Sequence, residues 1–168
     1  AQAAGVVTAV DECWGLGPRR ELFEQVAKSA DVLMPSADDL SSIYAETGSV
    51  LDPENLAQKL LRLGPSAVIL KLGAAGSLVA ARSSCQRVSP AEATIIDTTG
   101  AGDAFNAGFI VGLLRSGVTR AEYLRNVEPD LLVHAAQLGS QVAAARLGTI
   151  GGSSQIRSLD RLGEPYKP

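Results

Sequence analysis

The sequence predicts an α/β layered fold. Short β-branched runs alternate with stretches of helical periodicity, and glycine and proline mark the boundaries between them. One run, "SAVILKLG" at 66–73, has the uninterrupted apolar character of a buried strand. Composition agrees, since 46% hydrophobic and 20% charged residues over 168 positions describe a globular chain able to bury a sizeable core. A single domain over 1–168 is the expectation.

Residues 6–10 form a short β-branched run ending at Asp11, which suits a buried strand with a carboxylate at its C-terminal end. Pro18 precedes a helix at 19–30, where Leu22, Phe23, Val26 and Ala30 share one face. "DVLMPS" at 31–36 reads as a second strand, stopped by Pro35. Helices follow at 37–47 and 53–63, the second opening with Asp52 as its cap and Pro53 at its first position. After the strand at 66–73, the turn Gly73-Ala74-Ala75-Gly76 returns the chain antiparallel along 77–82, and 85–89 adds an edge piece. Further helices are expected at about 103–115, 120–126 and 130–146, after which Gly148, Gly151 and Gly152 break the pattern. No internal repeat, charge block or low-complexity linker interrupts this order.

A net charge of −3 offers no basic face for duplex nucleic acid or an anionic membrane, although a local phosphate site is compatible with it. The longest charge-free apolar run, 104–114, falls short of the roughly 20 residues that span a bilayer. A cytoplasmic protein without membrane or nucleic-acid partners is expected. Cys13 and Cys85 form no CxxC, and with one histidine there is no recognisable metal-cluster spacing, so two buried thiols in a reducing compartment are expected. The opening "AQAAGVVTAVDECW" lacks an initiator methionine and enters a strand-like run at once, as a chain beginning mid-protein would.

The stretch "DTTGAGDAFNAGF" at 97–109 places three glycines and two aspartates against an apolar helix. A helix's first turn leaves N–H groups unpaired, and its dipole adds partial positive charge there. Gly100, Ala101 and Gly102 let a phosphate approach those donors. Asp103 would repel a resident phosphate, but it suits a transferring phosphoryl group if its carboxylate faces the attacking hydroxyl and takes the proton. The same residues also make an ordinary strand-to-helix turn with an aspartate cap.

The string Asp97-Thr98-Thr99-Gly100-Ala101-Gly102-Asp103-Ala104-Phe105 resembles the C-terminal signature of the ribokinase-like sugar kinases, and the surrounding order of elements is similar. The resemblance implies a ribokinase-like layered fold, with a mostly parallel central sheet flanked by helices and incomplete at the N-terminal side. It implies ATP-dependent phosphorylation of a sugar hydroxyl with magnesium. Asp103 would be the catalytic base, the N–H groups of Gly100, Ala101 and Gly102 would hold the transferring phosphoryl, and Asp97 would help bind a monovalent cation such as potassium. Upstream, "VILKLGAAGSLV" is similar to the family's nucleotide-phosphate segment, with Lys71, Gly73 and Gly76 at its usual positions. Taken alone it is also a plain hairpin with a solvated lysine.

Where relatives often carry Asn-x-x-Glu to organise the magnesium–phosphate network, this chain has Ser36 and Asp39. Oxygen chemistry survives there at shorter reach, which implies altered metal dependence. The plain alternative is that Ser36 caps the next helix, with Asp38 and Asp39 in its first turn. "HAAQLGSQVAAARLGTIGGSS" resembles the helix and loop lining the adenine pocket, with Gln137, Gly148 and Gly151 as candidates and His134 as a packed or surface residue. Gly108-x-x-x-Gly112 is read as close packing of its helix on the sheet.

Only about the C-terminal half of a usual member is represented. Relatives carry much of the sugar pocket in the missing N-terminal half; that half or a homo-oligomer partner is the expected macromolecular partner, and an isolated active kinase is not expected. The acceptor stays open to a nucleoside or a vitamin alcohol, and a kinase-like binding or assembly module with lost catalysis is the reading from another class.

Overall fold

The computed structural model describes residues 2–11, 19–44, 52–82, 84–119, 122–123 and 128–151. After a 3₁₀ turn at Gln2–Ala4 come β1 (Ala9–Val10), α1 (Arg20–Ala27), β2 (Val32–Leu33), α2 (Ala37–Tyr44) and α3 (Pro53–Leu61). Then follow β3 (Ala67–Lys71), a 3₁₀ turn at Gly73–Ala75, β4 (Ser77–Ala81), β5 (Ser84–Val88), α4 (Ala101–Arg115) and α5 (Pro129–Leu147). The predicted order of elements stands. Of the helix expected at 120–126, Glu122 and Tyr123 are described and helical, and the rest lies outside the described residues, as do Cys13, Gly152 and the end of the helix expected at 37–47.

The strands form one sheet in the order β1-β2-β3-β4-β5. β1, β2 and β3 run parallel, with Ala9 opposite Val32 and Val32 opposite Ala67. β4 and β5 return antiparallel, Ile69 facing Val79 and Val79 facing Gln86. The strand expected at 6–10 keeps only its last two residues in the ladder. Thr8 ties to the start of β2 by backbone and side chain together: its carbonyl accepts from the Asp31 and Val32 N–H groups, each at 2.9 Å, and Asp31 Oδ2 accepts from its backbone N–H at 2.8 Å and from its hydroxyl at 2.9 Å.

Alternation along the strands splits the core in two. Val32, Ile69 and Val79 face Phe105, Phe109, Leu132 and Ala136 of α4 and α5. Leu33, Val68, Leu70 and Leu78 face Phe23, Leu40, Leu56 and Leu60 of α1, α2 and α3. The chain is therefore a helix–sheet–helix sandwich. Among the described residues, no helix is long and apolar enough to cross a membrane.

Two expectations change. Cys85 is exposed and free, because β5 is an edge strand whose middle residues face solvent; partial burial still pushes its thiol upward. Gly108 and Gly112 pack on α5 and not on the sheet. A Cβ on Gly108 would lie 2.8 Å from the Gly139 Cα, and one on Gly112 would lie 2.7 Å from the Ala135 Cα. Small residues on both helices let their backbones meet, while Phe105 and Phe109 reach the sheet.

Replacing a helical glycine by alanine gains up to about 1 kcal/mol of propensity, but overpacking against backbone costs about 1–3 kcal/mol. Gly108→Ala and Gly112→Ala are therefore each expected to destabilise the full-length protein on balance, by up to about 2 kcal/mol after the propensity gain. Denaturant titration checks this, and unchanged or raised midpoints would show that the two helices separate easily.

Candidate active site

Parallel α/β sheets bind ligands at the carboxyl ends of their strands. Here each parallel strand delivers a polar residue to that edge: Asp11 follows β1, Ser36 lies beyond β2 and Lys71 ends β3. Ser36 and Lys71 form a parallel bridge, and the Lys71 N–H donates to the Pro35 carbonyl at 2.9 Å. The local backbone thus sets the serine and the lysine side by side.

Lys71 Nζ donates to Asp11 Oδ2 at 2.6 Å and lies 3.4 Å from Asn106 Oδ1. Asn106 Nδ2 donates to the same Asp11 oxygen. Asp11 Oδ1 is buried with no hydrogen-bond partner among the described residues. The position that a Cβ on Gly102 would take is 3.6 Å from Lys71 Nζ. An ammonium group therefore stands over the first turn of α4, held from β1 on one side and from α4 itself on the other.

That turn has the geometry of an anion site. Gly100 opens it at φ +77°, a left-handed conformation that glycine adopts without strain. The Ala101 N–H donates to Thr98 O at 3.2 Å and the Ala104 N–H to Gly100 O at 3.0 Å. Between them, the amides of Gly102 and Asp103 have no backbone partner among the described residues. The Asp103 side chain is exposed and carries no ion pair among the described residues.

Ser36 and Asp39 hold each other. The Ser36 hydroxyl donates to Asp39 Oδ2 and accepts from the Asp39 N–H at 3.0 Å, so the serine caps α2. Among the described residues, no group of three His, Cys, Asp or Glu side chains is arranged to hold a metal ion.

Gly73 and Gly76 line a shallow cleft of about 80 Å³ together with Phe105, Ser140, Ala143 and Leu147. Gly76 sits at φ +85°, and a Cβ there would come within 2.1 Å of the Val88 carbonyl oxygen, so this turn admits glycine alone. Gln137 is exposed on α5 and outside this lining, Gly148 lies near Thr94, and Gly151 joins Asp97.

Asp97 is tied from both oxygens. Its Oδ1 accepts from the Thr99 N–H at 2.9 Å and its Oδ2 from the Gly151 N–H at 2.8 Å, with Arg146 Nη2 at 3.7 Å from that second oxygen. These backbone bonds, from Thr99 first and Gly151 second, bring the carboxyl down from its ordinary 3.8 to about 2. Three contributors were not singled out from sequence as site residues: Asp11, Asn106 and Arg146. Asp11 was legible as a carboxylate at a strand end and Asn106 stands inside the glycine-rich string, but their meeting at Lys71 is a tertiary event.

Residues 1–158 match the pfkB family of carbohydrate kinases. The chain belongs to that family. It is 32% identical over 147 residues to an ATP-dependent 6-phosphofructokinase of Thermoanaerobacterium thermosaccharolyticum, a match covering 88% of this chain and 40% of the relative. It is also similar to a fructokinase from Vibrio cholerae O395 solved with fructose, ADP and calcium, at 25% identity and a TM-score of 0.65, covering 79% of this chain and 40% of that one. Aminoimidazole riboside kinase from Salmonella enterica shares the fold at 24% identity and a TM-score of 0.73, covering 89% and 48%. The pfkB chain thus has the ribokinase-like architecture and spans under half the length of these relatives.

A depressed carboxyl contributes stability that is complete above its unfolded value and is lost as pH falls through its folded value. The Asp97 contribution in this pfkB chain is therefore expected to be whole above about pH 4 and to fade through about pH 2. An NMR titration of the side-chain carboxyl should show its midpoint near 2, and a midpoint near 4 would mean that the Thr99 and Gly151 bonds do not persist in solution.

Proposed function

We propose that this chain is the ATP-side and catalytic half of a sugar kinase, moving the γ-phosphoryl of ATP to a sugar hydroxyl. The observation that carries the reading is the convergence at the start of α4: the amides of Gly102 and Asp103 and the Asp103 carboxylate, all without a partner among the described residues, and the Lys71 ammonium 3.6 Å from the Cβ position of Gly102. The sugar kinases among the relatives support it.

In this reading the N–H groups of Gly102 and Asp103 face the phosphoryl oxygens, Gly100 shapes the turn, the Ala101 N–H stays with Thr98 O, and Lys71, shared with Asp11, adds an ammonium donor from β3. Asp103 orients the acceptor hydroxyl and receives its proton while the hydroxyl oxygen bonds to phosphorus and the bridging P–O bond to ADP breaks. Phosphoryl transfer asks mainly for positioning and charge neutralisation, and these residues supply both. Gly73 and Gly76 leave room for nucleotide beside α5.

Magnesium keeps most of its waters and takes one or two carboxylates, so the single carboxylate of Asp39, buttressed by Ser36, fits such an ion. When bound, magnesium would neutralise phosphate charge at this end of the sheet. The sugar as acceptor rests on the family resemblance, and a nucleoside or a vitamin alcohol would meet the same phosphate apparatus.

The test is an ATP phosphorylation screen of the full-length protein against a panel of sugars. Asp103→Asn should lower kcat by roughly 10²–10⁴ with ATP binding retained. Lys71→Met should chiefly weaken ATP binding. Nucleotide binding without turnover of any acceptor by the wild type would replace the kinase reading with that of a binding module.

A further inference from the structure

Four oxygens converge at the C-terminal end of α5, and the group they surround is a side chain. Arg146 is 3% exposed. Its Nη1 donates to Thr149 O at 2.6 Å and to Thr149 Oγ1 at 2.9 Å, its Nη2 donates to Thr99 O at 2.6 Å, and the same Nη2 is 3.7 Å from Asp97 Oδ2. Two carbonyls, a hydroxyl and a carboxylate are a donor set suited to a hard cation. They also lie beside the loop that leads into Gly100.

We propose that the Arg146 guanidinium is the built-in cation of this site, standing where a monovalent metal ion was expected beside Asp97. A metal ion does not fit with it. Thr99 O already faces Nη2, and the one carboxylate is balanced by the one guanidinium. A second cation would have to sit against a group that is always charged and largely shielded from water. The arginine also occupies the last turn of α5, where the helix dipole favours positive charge.

Arg146 touches no reacting group in this arrangement. It is a positioning residue: by holding Thr99 O it fixes the peptide directly before Gly100, and so the angle at which α4 begins. Its effect on catalysis rests on reading 97–103 as the phosphoryl loop, whereas its role as the resident cation does not.

The test uses the full-length protein at constant ionic strength, with potassium compared against the bulky tetramethylammonium ion. Wild-type melting temperature and kcat should be the same in both. Arg146→Ala should lose kcat on the order of 100-fold, since small displacements of a reacting group carry that penalty. It should regain both kcat and thermal stability when millimolar guanidinium or potassium is added, with KM for ATP little changed throughout. Arg146→Lys, which keeps the charge and loses the fork, should fall between the two and serves if the alanine variant does not fold.

A wild type whose melting point or turnover rises with potassium and not with tetramethylammonium would overturn the proposal. So would a folded Arg146→Ala that responds to no small cation. If the wild type phosphorylates no acceptor, the kinase reading fails, and the melting comparison still decides what occupies the site.

Discussion

Everything at the candidate site depends on where α4 starts, and that is set by how closely α4 lies against α5. Gly108 and Gly112 face Gly139 and Ala135 with no room for a methyl group between the backbones. A close approach at two successive turns fixes the rotation and height of α4 as well as its distance. Phe105 and Phe109 then fill the space towards Ile69 and Val79, so the sheet and α5 together determine the helix's position. The first turn, where Gly102 and Asp103 are exposed, inherits its precision from this buried half.

Electrostatics completes what packing begins. Lys71, in the partly enclosed ground at the strand ends, is matched by Asp11 and shared with Asn106, which lies one turn along α4 from Asp103. The same lysine can therefore register the helix against the sheet and present charge to an anion. Because Asp11 Oδ1 has no partner among the described residues, this pair keeps unsatisfied polar capacity at the site, a feature that ordinary structural ion pairs avoid.

The layered fold was legible because its signals are local: the strand at Ala67–Lys71, the hairpin into Ser77–Ala81 and the capped helix at Pro53–Leu61 each announce themselves within a few residues. The glycine-rich turn into α4 was legible for the same reason. Long-range pairings were not. The spacing of Gly108 and Gly112 assigned them to a close contact with the sheet, and α5 stands there instead. Lys71 was identified as a site residue, but Asp11 and Asn106 lie 60 and 35 positions away from it, and nothing in sequence says that three such residues meet. Cys85 was misjudged because hydrophobic tendency cannot tell an edge strand's outer face from its inner one. Arg146 reads in sequence as a basic residue near a helix end, and only its burial distinguishes it from a solvated one.

Arg146 has a mechanical side as well. One guanidinium grips Thr99, before α4, and Thr149, after α5, while the Leu147 carbonyl takes the N–H groups of Ile96 and Asp97. Two loops some fifty residues apart in the chain are thereby joined into one piece. Neither can loosen without releasing the other, so local opening here is cooperative across the gap, and the segment before α4 and the segment after α5 behave as a single unit of fluctuation.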